Sequence, residues 1–321
     1  MERKKGFTIV ELLTVMGVIA VLIGLMVPAL ALVKDYSKRI QQKAQFHGID
    51  MGLQMFKTEF GSYPDSSDNF ITGKEASIYC GSNKLAEAMV GLDLIGFHPN
   101  ADFRSDGQNT ITDNFGVQVP NHDVYDTTGS LASWQTGAQN IDARKGPFVE
   151  TEHANAFRMD EVYANIGPTN FNQNFAPPGA ATAMYPLVLC DVYAQKRSGT
   201  GGKKTGTPIL YYRAHENFKF QDSAKDNNGS GFVDDDDIYS YLDNQELLAL
   251  GRPDNNSTFA VVTAAVTGVP AQEFDNMIRN ENVTTVRRPY RSDSYILISA
   301  GKDGDFGTAD DVFNFDKEVT E

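Results

Sequence analysis

Two stretches gather carboxylates among glycines and amides: DNNGSGFVDDDD at 226–237 and SAGKDGDFGTADD at 299–311. Loops of this kind offer side-chain and backbone oxygens to a hard cation such as calcium, which takes 6–8 of them. The plain alternative at both places is a solvated acidic turn. A third acid stands apart from these. Glu11 lies at the head of an apolar run that continues without charge from Leu12 to Val33. An ionised group in such a run is costly in a bilayer and usually marks a function. Covalent chemistry has little support. His47, His98, His122, His153 and His215 are scattered, with no paired-ligand spacing and no nucleophile elbow. Cys80 and Cys190 make no CxxC or Cys/His zinc pattern. They could form one disulfide in an oxidising compartment or remain two buried thiols. A structural or binding protein is expected, not an enzyme.

The elements that must carry these residues follow from pattern. The chain has 321 residues, 41% hydrophobic, with a formal net charge of -14. That balance argues against nucleic acid as a partner. The run after Glu11 is long enough to span a bilayer as a helix. Basic residues flank both its ends, Arg3, Lys4 and Lys5 before it and Lys34, Lys38 and Arg39 after it. Beyond it, Phe46, Ile49, Leu53, Phe56 and Phe60 recur at helical spacing, and Gly61 and Pro64 end the pattern. One helix of about 80 Å is expected from Phe7 to Phe60. Short helices are predicted around Leu85–Ile95 and over 270–282. Strands are predicted at 185–194, 208–214, 259–266 and 294–300, with long surface loops at 99–145. The Gly-rich stretch 196–206 lacks phosphate-loop spacing and reads as a hairpin connection.

A cleaved secretory signal and an ordinary anchor both fit the N-terminus in part. Ala29-Leu30-Ala31 looks like a signal-peptidase site, but the apolar core is long for a signal and contains an acid. An ordinary anchor leaves Glu11 unexplained. The stretch KKGFTIVELLTVMGVIAVLIGLMVP accounts for all of it, because it resembles the signal of type IV pilins and pseudopilins. The resemblance implies cleavage by prepilin peptidase after Gly6 and methylation of the new N-terminal Phe7. It places Glu11 at the fifth mature position and Pro28 in the helix. It also implies that Glu11 pairs with the Phe7 amine of a neighbouring subunit, while Pro28 bends or loosens the helix.

FGSYP at 60–64, RKGPFV at 144–149, the stretch Asp191–Tyr212 and SYILISAGKDGDFGTADDVF at 294–313 resemble landmarks of the major pseudopilin of type II secretion systems. The chain is about twice as long as those proteins. Its additional residues lie mostly at 65–143, 150–185 and 214–290. The resemblance implies a calcium site made by Asp303, Asp310 and Asp311 with carbonyls near Ala300 and Lys302, and leaves Asp305 unassigned. The 226–237 loop fits a helix–loop–helix calcium loop on its own count. Asp226, Asn228, Ser230, Phe232, Asp234 and Asp237 fall at positions 1, 3, 5, 7, 9 and 12, and Gly231 at 6. Asp at position 12 resembles dockerin-like loops. IYSYLDNQELLAL could be its exiting helix, and no entering helix is evident.

The expected fold class is α+β, pilin-like: a long N-terminal helix packed on an antiparallel sheet with long loops. The divisions are 1–6 leader, 7–33 membrane and assembly helix, 34–61 amphipathic helix and 62–321 globular domain. The expected role is a type II secretion pseudopilus subunit, single-pass in the inner membrane with its body in the periplasm. Its partners would be identical or related pilin subunits, prepilin peptidase and the secretion assembly platform. A type IV or minor pilin, and a membrane-anchored binding protein, are the alternatives.

Overall fold

The computed structural model describes residues 8–67, 79–103, 108–112, 118–125, 137–163, 186–194, 202–222, 237–253, 259–263 and 270–317. The helices are α1 (Ile9–Phe60), α2 (Gly81–Val90), α3 (Gly137–Ala143), α4 (Thr151–Ala154), α5 (Met159–Val162), α6 (Gln245–Ala249), α7 (Ala260–Thr263) and α8 (Pro270–Ile278). The strands are β1 (Gln108–Thr112), β2 (Gln118–Asp123), β3 (Ala156–Arg158), β4 (Leu187–Leu189), β5 (Leu210–Arg213), β6 (Tyr295–Ser299) and β7 (Val312–Phe313). The chain divides into two compact units, Met1–Gln41 and Gln42–Glu321.

The first unit is the N-terminal part of α1. Apolar side chains from Ile9 to Val33 are exposed around the helix. An 18-residue window reaches a mean hydropathy of 2.7, long and apolar enough to cross a membrane. Such all-round apolarity suits lipid or other helices, not water. The helix continues through Pro28, which lacks the N–H that would bond to Gly24.

In the second unit, an antiparallel sheet is built from two ladders, β3-β4 and β5-β6-β7. The Cys190–Pro208 bridge and the Ile209 N–H donating to the Leu189 carbonyl at 2.7 Å join β4 to β5. Side chains alternate across this sheet. Leu187, Leu189, Ile209, Tyr211, Tyr295, Leu297 and Val312 pack with Phe46, Ile49, Leu53 and Phe56 of α1 and Leu85 and Met89 of α2. Val188, Cys190, Leu210, Tyr212, Ile296 and Ile298 pack on the other face with Ile238, Leu247, Phe259, Phe274 and Ile278. The second set comes largely from the 214–290 region. It makes β6 buried at every residue, so both of its faces must be apolar, and YILIS is. The antiparallel sheet and long helix match the expected fold class.

Polar ties fix α1 on the sheet. Gln42 Oε1 accepts from the Val192 amide at 2.9 Å, Gln45 Nε2 donates to the Cys190 carbonyl at 2.9 Å, and the Tyr295 hydroxyl donates to Asp50 at 2.7 Å. Gly52 allows the closest approach: a Cβ there would meet Val149 Cγ2 at 2.8 Å and Met89 Sδ at 2.9 Å. α2 is buried at every residue, including two charged side chains. Lys84 donates to Asp65 and to the Ser67 carbonyl. Glu87 accepts from the hydroxyls of Tyr79 at 2.6 Å and Tyr125 at 2.7 Å. Burial pushes the Glu87 carboxyl up to about 7 against those two donors.

Several expectations are corrected. The predicted strand at 259–266 is helix α7 over Ala260–Thr263. The Ala260 amide donates to Asp305 and the Val261 amide to the Phe306 carbonyl, so the C-terminal loop takes the donors a neighbouring strand would have used. Positions 264–266 lie outside the described residues. The 99–145 region contains a hairpin, β1-β2, and helix α3. The predicted 85–95 helix stops at Val90, where Gly91 caps it at φ +76°. Cys80 and Cys190 are both buried and form no disulfide, and both sit in the apolar layer on the β6 face away from α1.

Candidate functional site

Gly6 and Phe7, the expected processing junction, lie outside the described residues. At Glu11 the geometry is local. The Thr8 amide donates to Glu11 Oε2 at 2.9 Å, the Thr8 hydroxyl donates to the same oxygen at 2.7 Å, and the Glu11 amide donates back to Thr8 Oγ1 at 3.2 Å. This is a reciprocal helix N-cap, with Ser/Thr three residues before Glu. Thr8 is the capping partner of Glu11, and its T-x-x-E spacing is visible in the sequence. In a lone subunit the carboxylate therefore has partners of its own. Between Ile9 and Val33 every large apolar side chain around it stays exposed.

The second site is the loop from Ala300 to Asp311, joining β6 to the edge strand β7. Its turns are fixed by Gly301, Gly304 and Gly307, all at positive φ. Gly301 is irreplaceable on space alone, since a Cβ would lie 2.3 Å from the Asp310 carbonyl oxygen. The carboxylates are held by the loop itself. The Asp303 amide donates to Asp310 Oδ2 at 3.0 Å, Thr308 Oγ1 to Asp310 Oδ1 at 2.6 Å, and the Gly307 amide to Asp311 Oδ2 at 2.9 Å. Asp311 is 5% exposed, and its Oδ1 is buried with no hydrogen-bond partner.

Burial, and then contact with Asp310, push the Asp303 carboxyl up. At Asp310 burial is outweighed by the Thr308 hydroxyl and the Asp303 amide, which hold the carboxyl below its usual range. Burial pushes Asp311 up to about 8, with the charges of Asp310 and Asp303 adding to it. The donors are all oxygens, one of them buried and unsatisfied, and negative charge is crowded; this chemistry suits a hard cation. Among the described residues, no three His, Cys, Asp or Glu side chains are drawn into one metal-holding cluster. Any ion here would rely on carbonyls as well. Asp305 points elsewhere, to Ala260 and Arg252.

Of the other acidic loop, Asp226, Asn228, Ser230, Phe232 and Asp234 lie outside the described residues. Asp237 is buried, and its Oδ1 accepts from the Asp222 amide at 2.8 Å. The stretch after it is helical, a 3-10 turn at Tyr241–Asn244 running into α6. A polar cleft of about 310 Å³ lies beside β5, lined by Asp65, Arg213, His215 and Glu216 among others.

Known sequence families bear on the N-terminus. The prokaryotic N-terminal methylation motif matches residues 1–27. The chain opens with a prepilin-type signal. The motif covers less than a tenth of the chain and indicates a type IV pilin-like substrate of prepilin peptidase. The apolar start of α1 fits membrane anchoring. No curated protein and no solved structure matches the chain.

Proposed function

We propose that this pilin-like chain is the subunit of a type II secretion pseudopilus, stabilised by calcium, with its body in the periplasm. Assembly uses α1. The apolar start of the helix is held in the inner membrane before assembly and among neighbouring helices after it. There the Phe7 amine of one subunit pairs with Glu11 of the next, replacing the Thr8 cap and setting register. Repeated addition of subunits at the assembly platform lengthens a short filament that pushes folded proteins outward.

The observation that carries the secretion-specific part is the buried, unsatisfied Asp311 Oδ1 beside the Asp303–Asp310 pair. Calcium, when bound, would supply the charge that lets these carboxylates stay ionised together. Asp303, Asp310 and Asp311 would hold it, with the carbonyls of Ala300 and Lys302. The rest of the work falls to the chain: Gly301 and Gly307 shape the loop, and β6 and β7 fix its ends.

Thermal melting of the full chain in detergent, with calcium and with chelator, tests this. Saturating calcium should raise the melting point by roughly 5–10 °C, the shift expected for a ligand about a hundredfold above its dissociation constant. Asp303→Ala/Asp310→Ala should lose most of that gain. With no calcium effect, the secretion assignment falls and a type IV or minor pilin becomes the better reading.

A further inference from the structure

The loop between β6 and β7 carries Asp303, Asp305, Asp310 and Asp311 within nine residues, and such a run of like charges is eased by a counter-charge. The chain brings one from 51 residues upstream. Arg252 Nη2 donates to the Asp303 carbonyl at 2.6 Å, and Nη1 stands 3.6 Å from Asp305 Oδ2. The other oxygen of Asp305 accepts from the Ala260 amide at 2.6 Å. The Phe306 carbonyl accepts from the Val261 amide at 2.9 Å, and the Phe259 and Phe306 rings lie 5.0 Å apart, both buried. Gly307, at φ +93°, comes so near that a Cβ would lie 3.0 Å from Val261 N. Every one of these partners comes from 252–261, within the 214–290 stretch that lengthens the chain relative to the pseudopilins it resembles.

We propose that Arg252 is a built-in cation of the C-terminal loop, and that Arg252 together with Phe259, Ala260 and Val261 clamps the loop in its folded form without metal. The guanidinium is a permanent charge with a planar fork of donors, so it can serve a carbonyl and a carboxylate at once. It meets the loop at the Asp305 carboxylate and the Asp303 carbonyl. The carboxylates of Asp303, Asp310 and Asp311 are left for an ion, and only this last clause rests on the calcium reading. Arg252 is a positioning residue: it acts on the loop, not on a ligand.

Hydrogen exchange of the full chain in detergent, with chelator present, tests the clamp. The variants are Arg252→Met and Arg252→Lys, with Arg287→Met as control, since Arg287 pairs with Asp222 elsewhere at 3.4 Å. In Arg252→Met, peptides covering 259–263 and 303–311 should exchange about tenfold faster or more, the effect of losing a charge-assisted hydrogen bond. Peptides from β6 and the Arg287→Met chain should match wild type. Arg252→Lys, which keeps the charge but loses the fork, should fall between, and it decides the matter if Arg252→Met does not fold. Wild-type protection in both Arg252 variants would overturn the clamp. A parallel series with calcium separates the two ideas. If calcium changes no chain but the Arg252 variants lose protection, the clamp stands and the calcium reading falls. If calcium protects wild type and the Arg252 variants behave like it in chelator, the reverse holds.

Discussion

Glu11→Gln should sharply reduce filament assembly while leaving the folded body unchanged. The glutamine can still accept from the Thr8 amide and hydroxyl, the two bonds the carboxylate takes in the lone subunit, because Gln serves as well as Glu in this kind of cap. What it cannot do is neutralise the Phe7 amine of a neighbour in a dry helix bundle. Sheared filaments should fall on the order of tenfold or more, with the melting point of the body at its wild-type value. Glu11→Val, which loses cap and charge together, should be no better at assembly. Normal filaments from Glu11→Gln would mean that the carboxylate serves only as a helix cap, and the pairing between subunits would have to be abandoned.

The largest loss of stability is expected from one methyl group at Gly91. This residue ends α2 at φ +76° and ψ 165°, and its amide donates to the Glu87 carbonyl at 2.7 Å. That corner of backbone space is essentially open to glycine alone. Space forbids a side chain as well, since a Cβ would sit 2.1 Å from the Gly96 carbonyl oxygen. The carbonyl cannot retreat cheaply. It accepts from Arg144 Nη1 at 3.1 Å, while the Gly96 amide donates to the Val90 carbonyl at 3.0 Å. Arg144 in turn pairs with Asp93 and stacks on Tyr125, which donates to Glu87. Gly91→Ala therefore disturbs a buried polar network along with the turn. A cost of about 3 kcal/mol or more is expected, which lowers the melting point by roughly 6–12 °C. Gly48→Ala is the contrast. It lies on the exposed side of α1 with nothing within 4 Å of its Cβ position, so it should be neutral or stabilising by about 0.5–1 kcal/mol. Equal melting points for the two variants would refute the packing described around α2.

Particular residues show how far the sequence could be read. The Phe46–Phe60 stripe marks α1 because a helix on one flat surface needs one apolar face, and its spacing carries that need directly. The strands around Leu187, Leu210 and Tyr295 could be located, but their burial on both faces could not. That depends on Ile238, Leu247, Phe259, Phe274 and Ile278 packing over the sheet, a long-range event with no local period. The same reason explains α7. Phe259-Ala-Val-Val is strand-like on composition, yet Asp305 and Phe306, more than forty residues away, satisfy its first amides and turn it into a helix. In the acidic loop, Asp303, Asp310 and Asp311 were visible as oxygen donors, and Asp305 could not be told from them. Its commitment to Arg252 and Ala260 exists only once the 214–290 stretch is in place. Thr8 differs, since its cap on Glu11 is local and its spacing is in plain view in the sequence.

Assembly depends on how the N-terminus is processed, and mass spectrometry of the N-terminal peptide from membranes of the native host reads that directly. A mature chain beginning at Phe7 with one methyl group on its amine is the expected result. A chain beginning at Leu32, after Ala29-Leu30-Ala31, would make the segment an ordinary secretory signal and remove Glu11 from the mature protein. An N-terminus that is still intact, in cells whose other prepilins are processed, would leave a membrane anchor and contradict the filament role.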